Sequence, residues 1–179
     1  FEETPYTAIR NYLPHPRPRA ARAAMISNID RSVGAIIDRL EKLGISDNTL
    51  IIFSSDNGPT PEGGGDMEFF DSNSIYRGYK RDLYEGGIRM PTLARWPGRI
   101  QPGSRSDHVS AFWDLMPTLA DLAGTISPNN DGLSFLPALL QAEGQELHQS
   151  LYWEFHNTRG GHAQAVRFLD ESSKSWKAV

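Results

Sequence analysis

Between Ala20 and Leu43 the apolar residues Met25, Ile29, Val33, Ile36, Ile37, Leu40 and Leu43 recur mostly at steps of three and four, with Asp30, Arg31, Asp38, Arg39, Glu41 and Lys42 largely on the other face. That period puts the apolar set on one stripe and predicts an amphipathic helix docked on a sheet. Gly44 stands where a left-handed cap is wanted. After a turn at Asp47-Asn48 the pattern changes to a continuous apolar run, Thr49-Leu50-Ile51-Ile52-Phe53. Such a run predicts a buried strand, expected in a parallel sheet. Helix, short turn and buried strand make half of a βαβ unit. The strand runs into Ser54-Ser55-Asp56-Asn57-Gly58. Open α/β sheets place their ligands at the carboxyl ends of their strands, so these polar residues draw attention.

Elsewhere the pattern is more broken. Residues 1 to about 19 are irregular and basic, with Pro5, Pro14, Pro16 and Pro18, and read as a solvated surface segment. Residues 59–75 form a glycine-rich, acidic loop, long enough to border a site or to move. A short strand is predicted over Arg89 to Trp96, with turns at Pro97-Gly98 and Pro102-Gly103. Asp114 is a good N-cap for a helix through Leu122, with Leu115, Leu119 and Leu122 inward and Gly124 past its end. Leu133 to Leu140 is a short amphipathic piece. Leu151 to Phe155 and Gln164 to Phe168 read as strands joined around Gly160-Gly161, and Trp176 to Val179 as the third strand of that meander.

Composition narrows the classes. The 179 residues are 39% hydrophobic and 22% charged, ordinary globular usage that fits neither disorder nor a fibre. No stretch approaches the roughly 20 apolar residues of a membrane span. Eighteen basic against 22 acidic residues give a net charge of −4, which argues against non-specific nucleic-acid binding. Without Cys there is no disulfide scaffold, Cys-ligated zinc or Cys nucleophile in the chain. The histidines at 15, 108, 148, 156 and 162 lack the i, i+4 spacing of a helical zinc motif. His156 and His162 can line a cleft from the meander, and each also reads as an ordinary hydrogen-bonded or surface histidine. No G-x-S-x-G elbow marks a serine nucleophile.

Two features carry chemistry. Asp56 and Asn57 set a carboxylate beside an amide oxygen, a pairing that suits a hard divalent cation and equally an Asx turn at a strand end. Lys80, in Gly78-Tyr79-Lys80, can serve as a point charge for a sulfate or phosphate oxygen or stand as a surface lysine. Gly86-Gly87 downstream permits close backbone approach, and Glu85 and Arg89 can pair with each other or touch a substrate.

In order and spacing, Asp56-Asn57-Gly58, Gly78-Tyr79-Lys80, Glu85-Gly86-Gly87-Ile88-Arg89-Met90-Pro91, Trp96-Pro97-Gly98 and Asp114-Leu115-Met116-Pro117-Thr118 resemble the sulfatase family. The likeness continues through Leu151-Tyr152-Trp153-Glu154 and Trp176-Lys177-Ala178-Val179 and covers nearly the whole chain from about Ala20. It implies an α/β fold, part of an alkaline-phosphatase-like sandwich with a mostly parallel sheet over residues 1–145. Residues 146–179 would start a small C-terminal antiparallel sheet. It implies hydrolysis of sulfate esters, aryl sulfates or sulfated sugars, by a formylglycine made from Cys or Ser in a C-x-P-x-R motif. Asp56 and Asn57 match the family's calcium ligands, with Mg2+ the less expected ion, and Lys80 matches its catalytic, sulfate-contacting lysine. Export to a periplasm or secretion is expected on the same ground.

Departures from the family pattern are plain. No C-x-P-x-R or S-x-P-x-R motif occurs, and the early Asp pair that completes the calcium site is missing. His15, in Leu13-Pro14-His15-Pro16, is a candidate for the family's Pro-His-x-Pro histidine, but it lies only 41 residues before Asp56, a shorter interval than expected. The chain is therefore expected to be the C-terminal part of a sulfatase, lacking the nucleophile and inactive alone. Two alternatives stay open: a phosphate or phosphonate ester hydrolase of the same superfamily with a different metal set, and a truncated binding module without catalysis.

Overall fold

The computed structural model describes residues 17–157 and 161–179. The proline-rich start through residue 16, His15 included, and Gly160 of the expected turn lie outside the described residues. The elements are α1 (Pro18–Lys42), β1 (Ile51–Ser54), α2 (Glu85–Ile88), β2 (Thr92–Arg95), α3 (Leu115–Leu122), α4 (Leu136–Leu140), β3 (Ser150–Asn157), β4 (Gly161–Leu169) and β5 (Ser175–Ala178), with 3-10 turns at Ser46–Asn48, Glu62–Gly64 and Phe112–Asp114. They fall into two compact units. The first takes in residues 17–46 and 54–92, the second 47–53, 93–156 and 161–179.

In the first unit α1 follows the predicted bounds. Pro18 occupies the first turn, where its missing N–H costs nothing, and Gly44 follows the end with φ +68. The expected burial of its apolar stripe is not found: no residue of α1 is buried, and Met25, Ile29 and Ile36 are about half exposed. A stripe creates a face that can be covered, but covering it takes an element of matching length, and α1 meets chiefly the turn at Glu62–Gly64. Its start is tied down by Arg19, which donates to Asp66 Oδ2 at 2.8 and 2.6 Å and lies 4.1 Å over the Phe69 ring.

β1 and β2 form a two-stranded sheet. An extended parallel sheet is not formed among the described residues, so β1 is only half-buried and Phe53 is exposed, where a fully buried strand was expected.

The second unit is organised by Asp114 and Thr118, both with no exposed surface. Asp114 precedes α3, as predicted, but its side chain makes no cap bond to that helix. Instead Oδ2 accepts from the Ala111 amide at 2.7 Å, while Oδ1 accepts from the Leu133 amide and lies 2.8 Å from His148 Nε2. One turn on, Thr118 Oγ1 donates to the Asp114 carbonyl at 2.6 Å and accepts from the Phe135 amide at 2.9 Å. Thus the inward face of α3 is this polar pair, and Leu119, expected inward, is exposed. Buried Phe135 leads into α4, where Gln145 accepts from Ala138 and donates to the Ser134 carbonyl. His108 adds two buried ring nitrogens that no described group pairs with; burial holds its pKa below the usual imidazole range, against the pull of Asp114.

The last sheet has the order β3-β4-β5, with β4 and β5 antiparallel and Phe168 opposite Trp176. β3 alternates: Leu151 is buried and Trp153 and Phe155 half-buried, while Tyr152, Glu154 and His156 face out. Trp153 packs 6.1 Å from Trp113. Asp170 caps the β4–β5 turn: bonds from the Ser172 hydroxyl, the Trp176 indole and the Lys174 amide hold its carboxyl down to about 2.

Replacing Asp114 with Ala should strand two half-buried amides and His148, and cost about 3 kcal/mol or more. An unchanged urea midpoint for Asp114→Ala would show that the second unit does not depend on this carboxylate.

Candidate active site

β1 delivers Asp56 and Asn57 to a loop that is held from both sides. Ser54 Oγ donates to the Pro91 carbonyl at 3.0 Å, and Ser55 Oγ donates to the Asn57 carbonyl at 2.9 Å. Asp56 is exposed, and its carboxylate takes no hydrogen bond or ion pair among the described residues. Asn57 is half-buried and commits its Nδ2 to the Gly58 carbonyl at 2.8 Å, while its Oδ1 takes no hydrogen bond among the described residues. What the turn leaves uncommitted is therefore two adjacent oxygen donors.

Glycines bring the second segment against this loop. Gly58 donates to the Gly87 carbonyl at 2.8 Å, and a Cβ on Gly58 would lie 1.9 Å from the Gly86 carbonyl oxygen. A Cβ on Gly86 would meet the Gly78 carbonyl at 2.1 Å, and one on Gly87 the Asp82 carbonyl at 2.1 Å. The Lys80 amide donates to the Pro59 carbonyl at 2.8 Å, so the 78–87 segment is stitched to the end of the Asp56 loop by main-chain bonds. Buried Leu83 anchors that segment, and Arg77 lies 3.9 Å over the Tyr84 ring. Glu85 and Arg89, open to two readings in the sequence, form an ion pair at 3.8 Å.

Lys80 is half-buried and reaches Glu62 Oε2 at 3.1 Å. Arg81 takes the other oxygen of the same carboxylate. Burial pushes Glu62 up, but the hydrogen bonds and charges of Lys80 and Arg81 outweigh it and hold the carboxyl below its usual range. Arg81 adopts φ +80, a left-handed conformation unusual for a side-chain-bearing residue, and its ion pair helps to hold it there. The 59–75 loop therefore borders the site. Glu62 and Arg81 were missed by local reading because the Lys80–Glu62 pair spans 18 residues of an irregular loop that carries no period.

Asp56 and Asn57 lie in the same unit as Lys80. The donor chemistry fits part of a hard-cation site: a carboxylate and a free amide oxygen, two of the about six to eight oxygens calcium takes. No group of three or more His, Asp or Glu side chains gathers to hold a metal among the described residues. The described histidines, at 108, 148, 156 and 162, all belong to the other unit.

Comparison with known proteins gives the family. The sulfatase family model matches residues 2–125, well over half the chain, and the chain belongs to the sulfatase family. It is 38% identical over 159 residues to the steryl-sulfatase of Rattus norvegicus, covering 86% of this chain and 27% of that protein. Among solved structures it is similar to Ps i-CgsB in complex with k-i-k-neocarrahexaose (29% identity, TM-score 0.66, 87% of this chain and 35% of that one). It is also similar to the phosphonate monoester hydrolase of Agrobacterium radiobacter (27% identity, TM-score 0.61, 86% and 31%). These neighbours have the alkaline-phosphatase-like fold. The chain spans between a quarter and about a third of the length of these relatives.

The glycine contacts set a paired expectation. Gly86→Ala should lower the unfolding midpoint, since its Cβ meets main chain that cannot swing aside. Gly34→Ala, in α1 with nothing within 4 Å of its Cβ, should leave the midpoint unchanged or raise it, on the scale of about 0.5–1 kcal/mol of helix propensity in stability. Equal effects in denaturant melts would rule out the close crossing.

Proposed function

We propose that these residues supply the cation-binding and sulfate-binding part of a calcium-dependent sulfuric ester hydrolase. The observation that supports this most is the glycine-tight crossing of the Asp56-Asn57 loop and the Lys80 segment, in a chain of the sulfatase family. Asp56 and Asn57 would hold a calcium ion through the Asp carboxylate and Asn57 Oδ1; magnesium, which demands a stricter octahedron, fits less well. When bound, such an ion supplies Lewis-acid polarisation of a sulfuryl oxygen. Lys80 Nζ contributes a positive charge to a sulfate oxygen where negative charge develops in transfer. Its partner Glu62, itself paired with Arg81, aims the ammonium until a sulfate oxygen competes for it.

The nucleophile, a formylglycine made from Cys or Ser in a C-x-P-x-R motif, and the remaining calcium ligands would come from sequence beyond these 179 residues, so this stretch alone would not turn over substrate. The mostly parallel sheet of the complete fold would come from the same source. Residues 1–145 would belong to that α/β domain and 146–179 to the C-terminal subdomain. The substrate class is a sulfate ester, aryl or sugar, and a periplasmic or secreted location fits the family. No described helix is long and apolar enough to cross a membrane. Phosphonate or phosphate ester hydrolysis is the second reading, favoured by the phosphonate monoester hydrolase neighbour, because a lysine and a hard cation suit any tetrahedral oxyanion. A truncated binding module without catalysis is the third.

In the full-length protein, Asp56→Ala should remove a cation ligand and abolish sulfate-ester turnover; retained calcium stoichiometry by metal analysis together with retained turnover would reject the assignment. Lys80→Ala should lower turnover of an aryl sulfate at saturation by about tenfold or more, on the scale of one charge-stabilising contact. Preference for phosphonate monoesters in the same assay would replace the first reading with the second.

A further inference from the structure

The outward face of the C-terminal sheet carries a cluster that the sulfatase reading does not use. On β3 the exposed row is Tyr152, Glu154 and His156; on the neighbouring strand β4, His162 and Gln164 are exposed. His156 Nδ1 and His162 Nδ1 lie 2.7 Å apart, with the rings edge to face at 4.8 Å between centroids. The other nitrogen of His162, Nε2, is 3.0 Å from Glu154 Oε1, and the Tyr152 hydroxyl donates to Glu154 Oε2 at 2.9 Å.

This geometry sets a tautomer. A carboxylate only accepts, so His162 carries its proton on Nε2, toward Glu154, and presents a lone pair at Nδ1. His156 supplies the proton of the Nδ1–Nδ1 bond. An imidazole whose far N–H is held by a carboxylate, itself held by a tyrosine, is the outer-shell arrangement that orients metal-ligating histidines.

We propose that His156 and His162 form a two-histidine site for a divalent transition ion, Zn2+ in the first instance, bound through the two Nδ1 atoms with water completing its shell. Zinc–nitrogen bonds of about 2.0–2.1 Å in a tetrahedral shell set the two nitrogens about 3.3 Å apart. The rings must therefore part by roughly 0.6 Å, a small adjustment for two exposed side chains. On binding, the proton on His156 Nδ1 leaves and Nε2 takes one from solvent, so His156 stays neutral; His162 and Glu154 keep their bond. Because no third His or carboxylate converges on the ion, the site is an open one. Imidazole ligands select zinc, copper or nickel over calcium, so the site is chemically distinct from the oxygen donors Asp56 and Asn57. The bound ion would clamp β3 to β4 near the place where the two strands connect.

Titration of the full-length protein with zinc chloride by calorimetry tests this. Wild type should bind one Zn2+ and no Ca2+ at this site, with a rise in melting temperature as zinc is added. His156→Ala and His162→Ala should each weaken zinc binding about tenfold or more, and Glu154→Ala should weaken it by about tenfold through the outer shell. Asp56→Ala should leave zinc binding intact, so that loss of the calcium reading and loss of this one are separable. Absence of zinc binding in the wild type, or zinc binding that survives both His156→Ala and His162→Ala, would overturn the proposal.

Discussion

Two stretches of main chain pass so closely at Gly58, Gly86 and Gly87 that no side chain fits between them. The site depends on this contact. It joins the loop at the end of β1 to the segment bearing Lys80 through backbone hydrogen bonds, at Gly58–Gly87, Lys80–Pro59 and Gly86–Arg77, that no rotamer change can loosen. Side chains that must act together are more precisely placed when main chain rather than side chain does the positioning. Two oxygen donors and one ammonium are thereby assigned to rigidly connected backbone. Their remaining freedom is confined to the side chains themselves.

The two units solve the problem of stability differently. The second is built on a buried Asp114 side chain whose partners come from residues 111, 133 and 148, alongside the buried apolar Phe135, Leu151 and Ala165. Such a group is costly to desolvate and is tolerable only because it is fully satisfied. The first unit uses charge at its surface: Arg19 on Asp66 and on Phe69, and Lys80 with Arg81 on Glu62. Exposed pairs of this kind stabilise weakly, and they serve here to orient loops. The same unit leaves the apolar stripe of α1 uncovered.

Much of the fold was readable in the chain because it rests on local rules. The period of α1 and its glycine stop come from helix geometry alone, as do the turns at Gly98, Gly103 and Gly124, each with positive φ, while the helix starts at Pro18, two residues before the predicted Ala20. The three strands of the last sheet followed from apolar alternation. Of the candidate site, Asp56, Asn57, Lys80 and the glycine pair stood out in the sequence through their order and spacing, which resemble the sulfatase pattern. Glu62, Arg81 and the Asp114–His148 bond were not, since each partner is distant in sequence and sits in an aperiodic segment.

By itself, then, the amino-acid order placed the long helix and the strands of the last sheet to within a few residues and singled out Asp56, Asn57 and Lys80 as candidates. Those properties depend on neighbours within a few positions, where backbone dihedrals and hydrophobic period act. The tertiary structure alone decided that Asp114 is a buried hub rather than a helix cap, that Lys80 shares Glu62 with Arg81, and that His156 meets His162. Each of these is set by which distant segments the fold brings within about 3 Å, a scale at which hydrogen bonding operates and which no local pattern encodes.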